Sequence, residues 1–346
     1  MLQQYSLENL LEISRHRVFG PALKTLTICV DHLPQELSRR EKRVVKRPVY
    51  KRLLEEQKFM MESGLNTTYL TQAIAAFPSL ETIVVDDDFF PGGPTALERQ
   101  TGVPLATAMD HHPDSVEFVV RTLRAIILAI AASNISLDGF DISVRGINSG
   151  MLFFPKPVLR YIQSHPINLT SLCLSVSLPS SIHPSGELVG DLLGFLAGFQ
   201  GLQRLSLGFS LGDEPEHFTA ISQALRLPGL RFLGITNVQC TESELVTLLL
   251  GHKDSLEKVS FTFIDIILEG GSRQSLLATI RDELSIKCLT MTRCRWADKV
   301  VYFRESGSDD KSGSDGETDL NDFEIGGSWQ DWTDDINCIM IGRSRM

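Results

Sequence analysis

The amino-acid sequence predicts an α/β solenoid, in which parallel strands line one side of a curved stack and helices cover the other side. Three observations support this prediction. A motif of the form L-x-x-L-x-L recurs eight times in the 346 residues, helical patterns separate its copies, and small polar residues alternate with its large apolar ones. One strand and one helix cannot close a hydrophobic core alone, whereas stacked copies of the pair can.

The spacing of the motif defines about eight irregular repeats within residues 1–303. The copies begin at Leu23, Leu80, Leu137, Leu169, Leu202, Leu230, Leu256 and Ile286. The successive spacings are 57, 57, 32, 33, 28, 26 and 30 residues. Because the first two spacings are about double the others, we expect insertions at 31–47 and 86–113.

Helix boundaries are also visible between the motif copies. Asp114 and Glu117 predict a capping box ahead of a long apolar helix, and Thr241 and Glu244 predict a second one, with Gly251 as the stop. A closed α/β domain with helices on both faces of its sheet is the alternative fold. Its strands would be continuous Val and Ile runs, whereas Ser and Thr occupy the intervening positions here.

The charge is concentrated in the last part of the chain. Lys and Arg total 33 and Asp and Glu total 43, and 305–335 alone holds eleven acids and one Lys. The body is therefore close to neutral, which argues against nucleic-acid binding. We expect 304–346 to be an acidic, largely disordered tail. Ser306, Ser312 and Ser314 each precede an acid by three residues and are predicted phosphorylation sites.

The sequence predicts an intracellular protein, cytoplasmic or nuclear, that does not bind membranes. The first residues contain neither a basic region nor an apolar run typical of a secretory signal. The most apolar stretch, 116–132, is short for a membrane span and includes Glu117, Arg121 and Arg124. The six Cys residues are scattered and form no C-x-x-C motif, which is typical of reduced thiols.

The repeat pattern resembles the leucine-rich repeats of the ribonuclease-inhibitor type. CTESELVTLLLGHKDSLEKVSF at 240–261 and ISRHRVFGPALKTLTI at 13–28 are similar to the repeat region of fungal F-box proteins. This resemblance implies a horseshoe that recognises targets for an SCF-type ubiquitin ligase. The family's F-box binds a Skp1-like adaptor, but LPQEL at 33–37 is followed by a charged run without an apolar face. The chain thus has no convincing F-box, and an adaptor is expected only if a cryptic one exists.

Period-two geometry predicts which strand residues line the concave face. In repeat order they are Thr25 and Thr27, Thr82 and Val84, Gly139 and Asp141, Ser171 and Cys173, Arg204 and Ser206, Phe232 and Gly234, Lys258 and Ser260, and Cys288 and Thr290. Aromatic and Arg side chains dominate many interfaces. We therefore predict that a protein partner contacts Asp86, Asp141, Arg204, Phe232 and Lys258.

The first insertion contains a basic arm. Its cationic residues are Arg39, Arg40, Lys42, Arg43, Lys46 and Arg47. This arm is open to four interpretations: a nuclear-localisation signal, a dock for an acidic partner, a solvated loop that runs into a helix starting near Pro48, or an internal partner of the acidic tail.

No catalytic, metal or cofactor site is predicted. GFSLG at 208–212 matches G-x-S-x-G, but neither His217 nor His252 is convincingly placed to activate Ser210, so a serine hydrolase is only an alternative. His111 and His112 near an Asp run lack metal-ligand spacing. The sequence therefore predicts a non-enzymatic protein-binding module. A scaffold without any ubiquitin link is the other alternative, and the sequence predicts neither the partner's identity nor the oligomeric state.

Overall fold

The structure, a computed structural model, describes residues 3–87, 93–107, 113–144, 147, 152, 154–176, 185–199, 201–209, 215–267, 274–296 and 299–300. These residues form an α/β fold around a single sheet. Among the described helices, none contains an apolar stretch that would be long enough to cross a membrane.

Eight strands run parallel and lie side by side in chain order. They are β1 (Thr25–Cys29), β2 (Thr82–Asp86), β3 (Ser136–Ser143), β4 (Asn168–Val176), β5 (Arg204–Phe209), β6 (Phe232–Thr241), β7 (Lys258–Ile267) and β8 (Cys288–Thr292). Two short strands follow, β9 (Arg295–Trp296) and β10 (Lys299–Val300). β9 extends the parallel pairing beside the end of β7, and β10 pairs antiparallel with β9.

Helices precede, separate or follow these strands. Those in the described residues are α1 (Gln4–Arg15), α2 (Phe19–Ala22), α3 (Glu41–Val44), α4 (Arg47–Ser63), α5 (Leu65–Ala75), α6 (Gly93–Thr101), α7 (Pro113–Ser133), α8 (Lys156–Ser164), α9 (Ser185–Leu196), α10 (Pro215–Ala224), α11 (Glu242–Leu250) and α12 (Gln274–Glu283). From α9 to α12, each helix contacts the next one along the chain, so the helices stack as the strands do.

The sheet buries one face and leaves the other at the surface. The apolar positions of every strand join the helices in one hydrophobic core, as Leu26, Leu205 and Phe261 illustrate. The alternating positions, such as Thr25 and Cys173, are exposed or half-buried, with Gly234 as an exception. The prediction of an α/β fold is thus confirmed for the described residues, which form one mainly parallel sheet. The burial pattern favours one open sheet face over the alternative with two covered faces.

One predicted helix start is confirmed and one is wrong. Thr241 and Glu244 form the capping box of α11, with Thr241 N–H donating to Glu244 Oε2 at 2.7 Å and Glu244 N–H donating to Thr241 Oγ1 at 3.3 Å. In contrast, α7 begins at Pro113, so Asp114 lies inside its first turn. A proline at the first helical position starts a helix on its own, because its fixed φ suits a helix and it has no N–H to satisfy.

The two insertions and the first half of α4 form a second hydrophobic core, which the sequence did not predict. We call it the insertion core; its buried members are Leu33, Tyr50, Leu53, Leu97 and Val103. Backbone hydrogen bonds join the two insertions. The N–H groups of His32 and Ala106 each donate to the carbonyl oxygen of the other residue, and Lys46 N–H donates to Thr101 O. Because β1 and β2 end where the insertions begin, the insertion core lies at the carboxyl ends of the first two strands.

Candidate protein-binding face

The open face of the sheet consists of three rows of side chains that cross the eight strands. Strand register aligns them without a slip. The first row is Thr25, Thr82, Gly139, Ser171, Arg204, Phe232, Lys258 and Cys288. The middle row is Thr27, Val84, Asp141, Cys173, Ser206, Gly234, Ser260 and Thr290. The third row is Cys29, Asp86, Ser143, Ser175, Gly208, Thr236, Thr262 and Thr292. The sixteen residues predicted for the concave face are therefore the first two rows.

The structure brings three of the five predicted contact residues together. Arg204, Phe232 and Lys258 are register neighbours on β5, β6 and β7, and we call them the platform. The Arg204 guanidinium carbon lies 4.7 Å from the centroid of the Phe232 ring. A guanidinium over an aromatic face is attracted by the ring quadrupole, which holds both groups in place.

Gly234 accommodates the ring of Phe232. These residues are two apart on β6 and thus on the same face. A Cβ at Gly234 would lie 3.3 Å from a ring carbon of Phe232 and 3.1 Å from Ser206 Oγ. Because glycine has no Cβ, the ring leans along the sheet, which leaves Phe232 half-buried and Gly234 covered. At β6 the middle row is therefore covered by the Phe232 ring.

The carboxyl end of the open face bears a second aromatic and cationic pair, which the sequence reasoning missed. Phe263 is 46 % exposed, and the Arg293 guanidinium carbon lies 5.2 Å from the centroid of its ring. We call these two residues the edge pair. Both have left-handed backbone, with φ of 55° and 53°, and Asn237 beside them on β6 has φ of 64°.

The aligned left-handed residues change which positions face the core. In β6, Leu233 and Ile235 are buried before the left-handed residue, and Val238 and Cys240 are buried after it. The side chains that face the core therefore change from odd-numbered to even-numbered residues. The same shift in β7 leaves both Thr262 and Phe263 on the open side. The signal in the sequence was FTFI at 261–264, where strict alternation of apolar and polar residues breaks.

The other two predicted contact residues lie apart from the platform. Asp141 on β3 accepts a hydrogen bond from Ser143 Oγ at 2.6 Å, and Asp86 is the last residue of β2. Next to Asp141 on β4, the pKa of the Cys173 thiol is raised to about 11, first by desolvation and then by the Asp141 carboxylate. The structure thus places acidic residues on β2 and β3, and it separates them from the cations on β5 and β7.

The basic arm lies on the insertions, far from the platform along the sheet. All six of its predicted cations are exposed: Arg39, Arg40, Lys42, Arg43, Lys46 and Arg47. Arg39 and Arg40 precede α3, Lys42 and Arg43 lie within it, Lys46 lies between α3 and α4, and Arg47 begins α4. The helix expected near Pro48 thus begins at Arg47. Lys46 Nζ donates to Arg99 O at 2.7 Å, which ties the arm to the second insertion.

Several predicted sites lie outside the described residues. They are Ser210 of the G-x-S-x-G match, His111 and His112, and the phosphorylation sites Ser306, Ser312 and Ser314 with the rest of 304–346. Within the described residues, no three potential metal-binding side chains are grouped. His252 has a structural role: its Nε2 accepts from Leu227 N–H at 3.2 Å and its Nδ1 lies 2.9 Å from Leu248 O. Burial lowers the pKa of this His252 imidazole.

No protein-family model matches this sequence, and no curated protein matches it.

Proposed function

We propose that this protein is a leucine-rich-repeat solenoid that binds another protein on the open face of its sheet. The observation that carries the proposal is the platform, where two cations flank an aromatic ring on three adjacent strands. Tyr, Trp and Arg anchors provide most of the binding energy in many interfaces, and Phe is also enriched there. The surrounding Ser, Thr and Gly residues leave space for a partner's backbone.

Two features support the leucine-rich-repeat assignment. The last repeat, IKCLTMTRCRW at 286–296, fits the repeat pattern in which Asn or Cys occupies the ninth position. That residue, Cys294, is buried and donates through its thiol to Phe261 O of the preceding repeat at 3.7 Å. Two repeats before Cys294, Asn237, the eighth residue of its repeat, donates to Phe209 O at 2.7 Å. Side chains of one repeat thus satisfy carbonyl groups of the previous one.

Target recognition for a ubiquitin ligase is the narrower form of this proposal, and it rests on the resemblance to fungal F-box proteins. The LPQEL segment at 33–37 is not helical, and its Leu33 is buried in the insertion core. A Skp1-like adaptor would consequently need another attachment point. Purification of the tagged chain tests the narrower form. A copurifying Skp1-like adaptor supports the ligase form, and its absence supports a scaffold without a ubiquitin link.

Site-specific photo-crosslinking tests the general proposal. Benzoylphenylalanine is placed at Ser260 on the open face, and at Thr247, an exposed position on α11, as the matched control. We expect Ser260 alone to yield a discrete crosslinked partner, which Arg204→Ala and Phe232→Ala in the same chain should abolish. Equal crosslinking from Thr247, or crosslinking that is insensitive to both replacements, would contradict the proposal.

A further inference from the structure

We infer that the partner segment is an extended acidic peptide, with two anionic groups about five residues apart, that runs along β6 and β7. This inference rests on the proposed function and specifies the chemistry of its ligand. It follows from three properties of the open face: unpaired cations, their spacing, and the small residues between them.

The open face from β5 to β9 has an excess of positive charge. Its cations are Arg204, Lys258, Arg293 and Arg295, and its one described acid is Asp265. None of the four cations forms an ion pair with a described residue. An anionic partner could therefore form ion pairs with these cations without breaking an existing one. This favours an acidic ligand over a basic or neutral one.

The cations form two groups, one at the amino ends of β5 to β7 and one where Arg293, just after β8, meets Phe263 in the middle of β7. Lys258 begins β7 with the platform around it, and the edge pair starts five residues further along, at Phe263. Five residues of extended chain span about 16 Å, so the two groups match anionic side chains about five residues apart in an extended peptide. Each group combines a guanidinium with a ring, which holds the guanidinium near the surface before a ligand arrives.

Small side chains fill the space between the two groups. On β5 to β8, the middle and third rows are Ser206, Gly234, Ser260, Thr290, Gly208, Thr236, Thr262 and Thr292. Apart from Gly234, which the Phe232 ring covers, these positions leave a peptide backbone free to approach, and their hydroxyl groups can donate to its carbonyl oxygens. The shape thus favours an extended segment over a helix, whose diameter of about 10 Å would hold its axis away from both groups.

The edge pair carries strain that packing alone does not require. A bulky residue in left-handed backbone is unfavourable, and Phe263 leaves much of its ring in solvent rather than in the core. Asn237 fills the equivalent place on β6 and donates to a neighbouring carbonyl, as a residue suited to this conformation does. Strained positions cluster at binding sites, which agrees with a contact role for Phe263.

Two labelled peptides of identical composition test the inference with the full chain. GSEEGSGEEGS has two Glu pairs whose centres are five residues apart, and GSGEEEEGSGS has the same four Glu residues together. By fluorescence polarisation we expect the spaced peptide to bind about fivefold more tightly, because only it reaches both cationic groups. Arg204→Gln and Arg293→Gln should each weaken the spaced peptide and remove its advantage, whereas Arg39→Gln in the basic arm should not.

Three outcomes would overturn the inference. Equal binding of the two peptides would contradict the proposed five-residue spacing of the anionic groups. Binding that is lost only with Arg39→Gln would place the site on the basic arm. Binding that requires neutralisation of Asp309, Asp310, Asp315 and Glu317 would make the chain's own acidic segment the occupant instead of a partner. If crosslinking from Ser260 still captures a partner in any of these cases, the proposed function stands and the acidic chemistry alone fails.

Discussion

The two ends of the sheet differ in how their strands are connected and in what their open face presents. At β1 to β3, the connections are long, the insertions build the insertion core, and Asp86 and Asp141 supply the charge. At β4 to β8, the connections are short, and the open face bears cations next to the half-buried ring of Phe232 and the exposed ring of Phe263. Under the proposed function, the short repeats carry the binding surface. The insertions form an additional unit at the carboxyl ends of the first strands.

The largest expected effect separates two Phe residues on β7. Phe261 is fully buried, so Phe261→Ala should lower the free energy of unfolding by about 3–5 kcal/mol. Phe263→Asn should change it by less than about 1 kcal/mol, because the loss of a half-exposed ring is offset by relief of left-handed strain. Chemical denaturation measures both. Similar losses for the two variants would show that Phe263 is a core residue rather than a contact residue.

Leu97→Ala tests whether the insertion core is a separate unit. Leu97 is 3 % exposed, but its cluster is small, so we expect a loss at the low end of the usual range, about 2–3 kcal/mol. The loss should be local. Hydrogen exchange should increase in 31–47 and 93–107, while β5 to β8 keep their protection. Faster exchange throughout the sheet would show that the two cores unfold together.

Two glycines provide a matched test of the contact between the insertions. Gly64 and Gly102 both have left-handed backbone, with φ of 70° and 74°. A Cβ at Gly102 would lie 2.8 Å from Val44 O, whereas a Cβ at Gly64 would meet no atom within 4 Å. Gly64→Ala should therefore cost about 1 kcal/mol and Gly102→Ala about 2 kcal/mol. Equal changes in thermal stability would mean that Val44 moves aside without cost.

The smallest expected effect concerns the acidic end of the open face. Removal of the carboxylate by Asp141→Asn should lower the pKa of Cys173 from about 11, because one group that disfavours the thiolate is lost. More thiolate at pH 8 should speed alkylation of Cys173 several-fold. Cys29 on β1 is the internal control, because it lies two strands away from Asp141. Burial is the main cause that raises its pKa to about 11 as well. An unchanged rate at Cys173 would leave burial as the sole cause.

The strands were predictable because their pattern is local. Leu, Ile, Val and Phe at every second position fix both the buried face and the register, so the aligned motif copies reproduce the observed rows. The capping box of α11 was predictable for the same reason, since Thr241 and Glu244 are three residues apart. Of the site, the platform followed directly from the motif alignment.

The features that were not predicted depend on distant or non-repeating contacts. Leu33 and Leu97 meet in the insertion core although 64 residues separate them. Neither segment has a periodic pattern from which their contact could be predicted. The edge pair depends on a left-handed residue that breaks the alternation on which the prediction relied. The start of α7 was wrong because Pro113 and Asp114 both suit a helix start, and the sequence alone did not rank them.

The openness of one sheet face is the claim on which the binding account depends, and substituted cysteines measure it directly. Ser206→Cys, Thr236→Cys and Ser260→Cys sit on the open face, and Leu205→Cys, Ile235→Cys and Val259→Cys sit on the buried face. Site-resolved maleimide labelling of the native chain should modify the first three and spare the last three. Protection at all six positions would show that the second face is covered as well and would contradict the account.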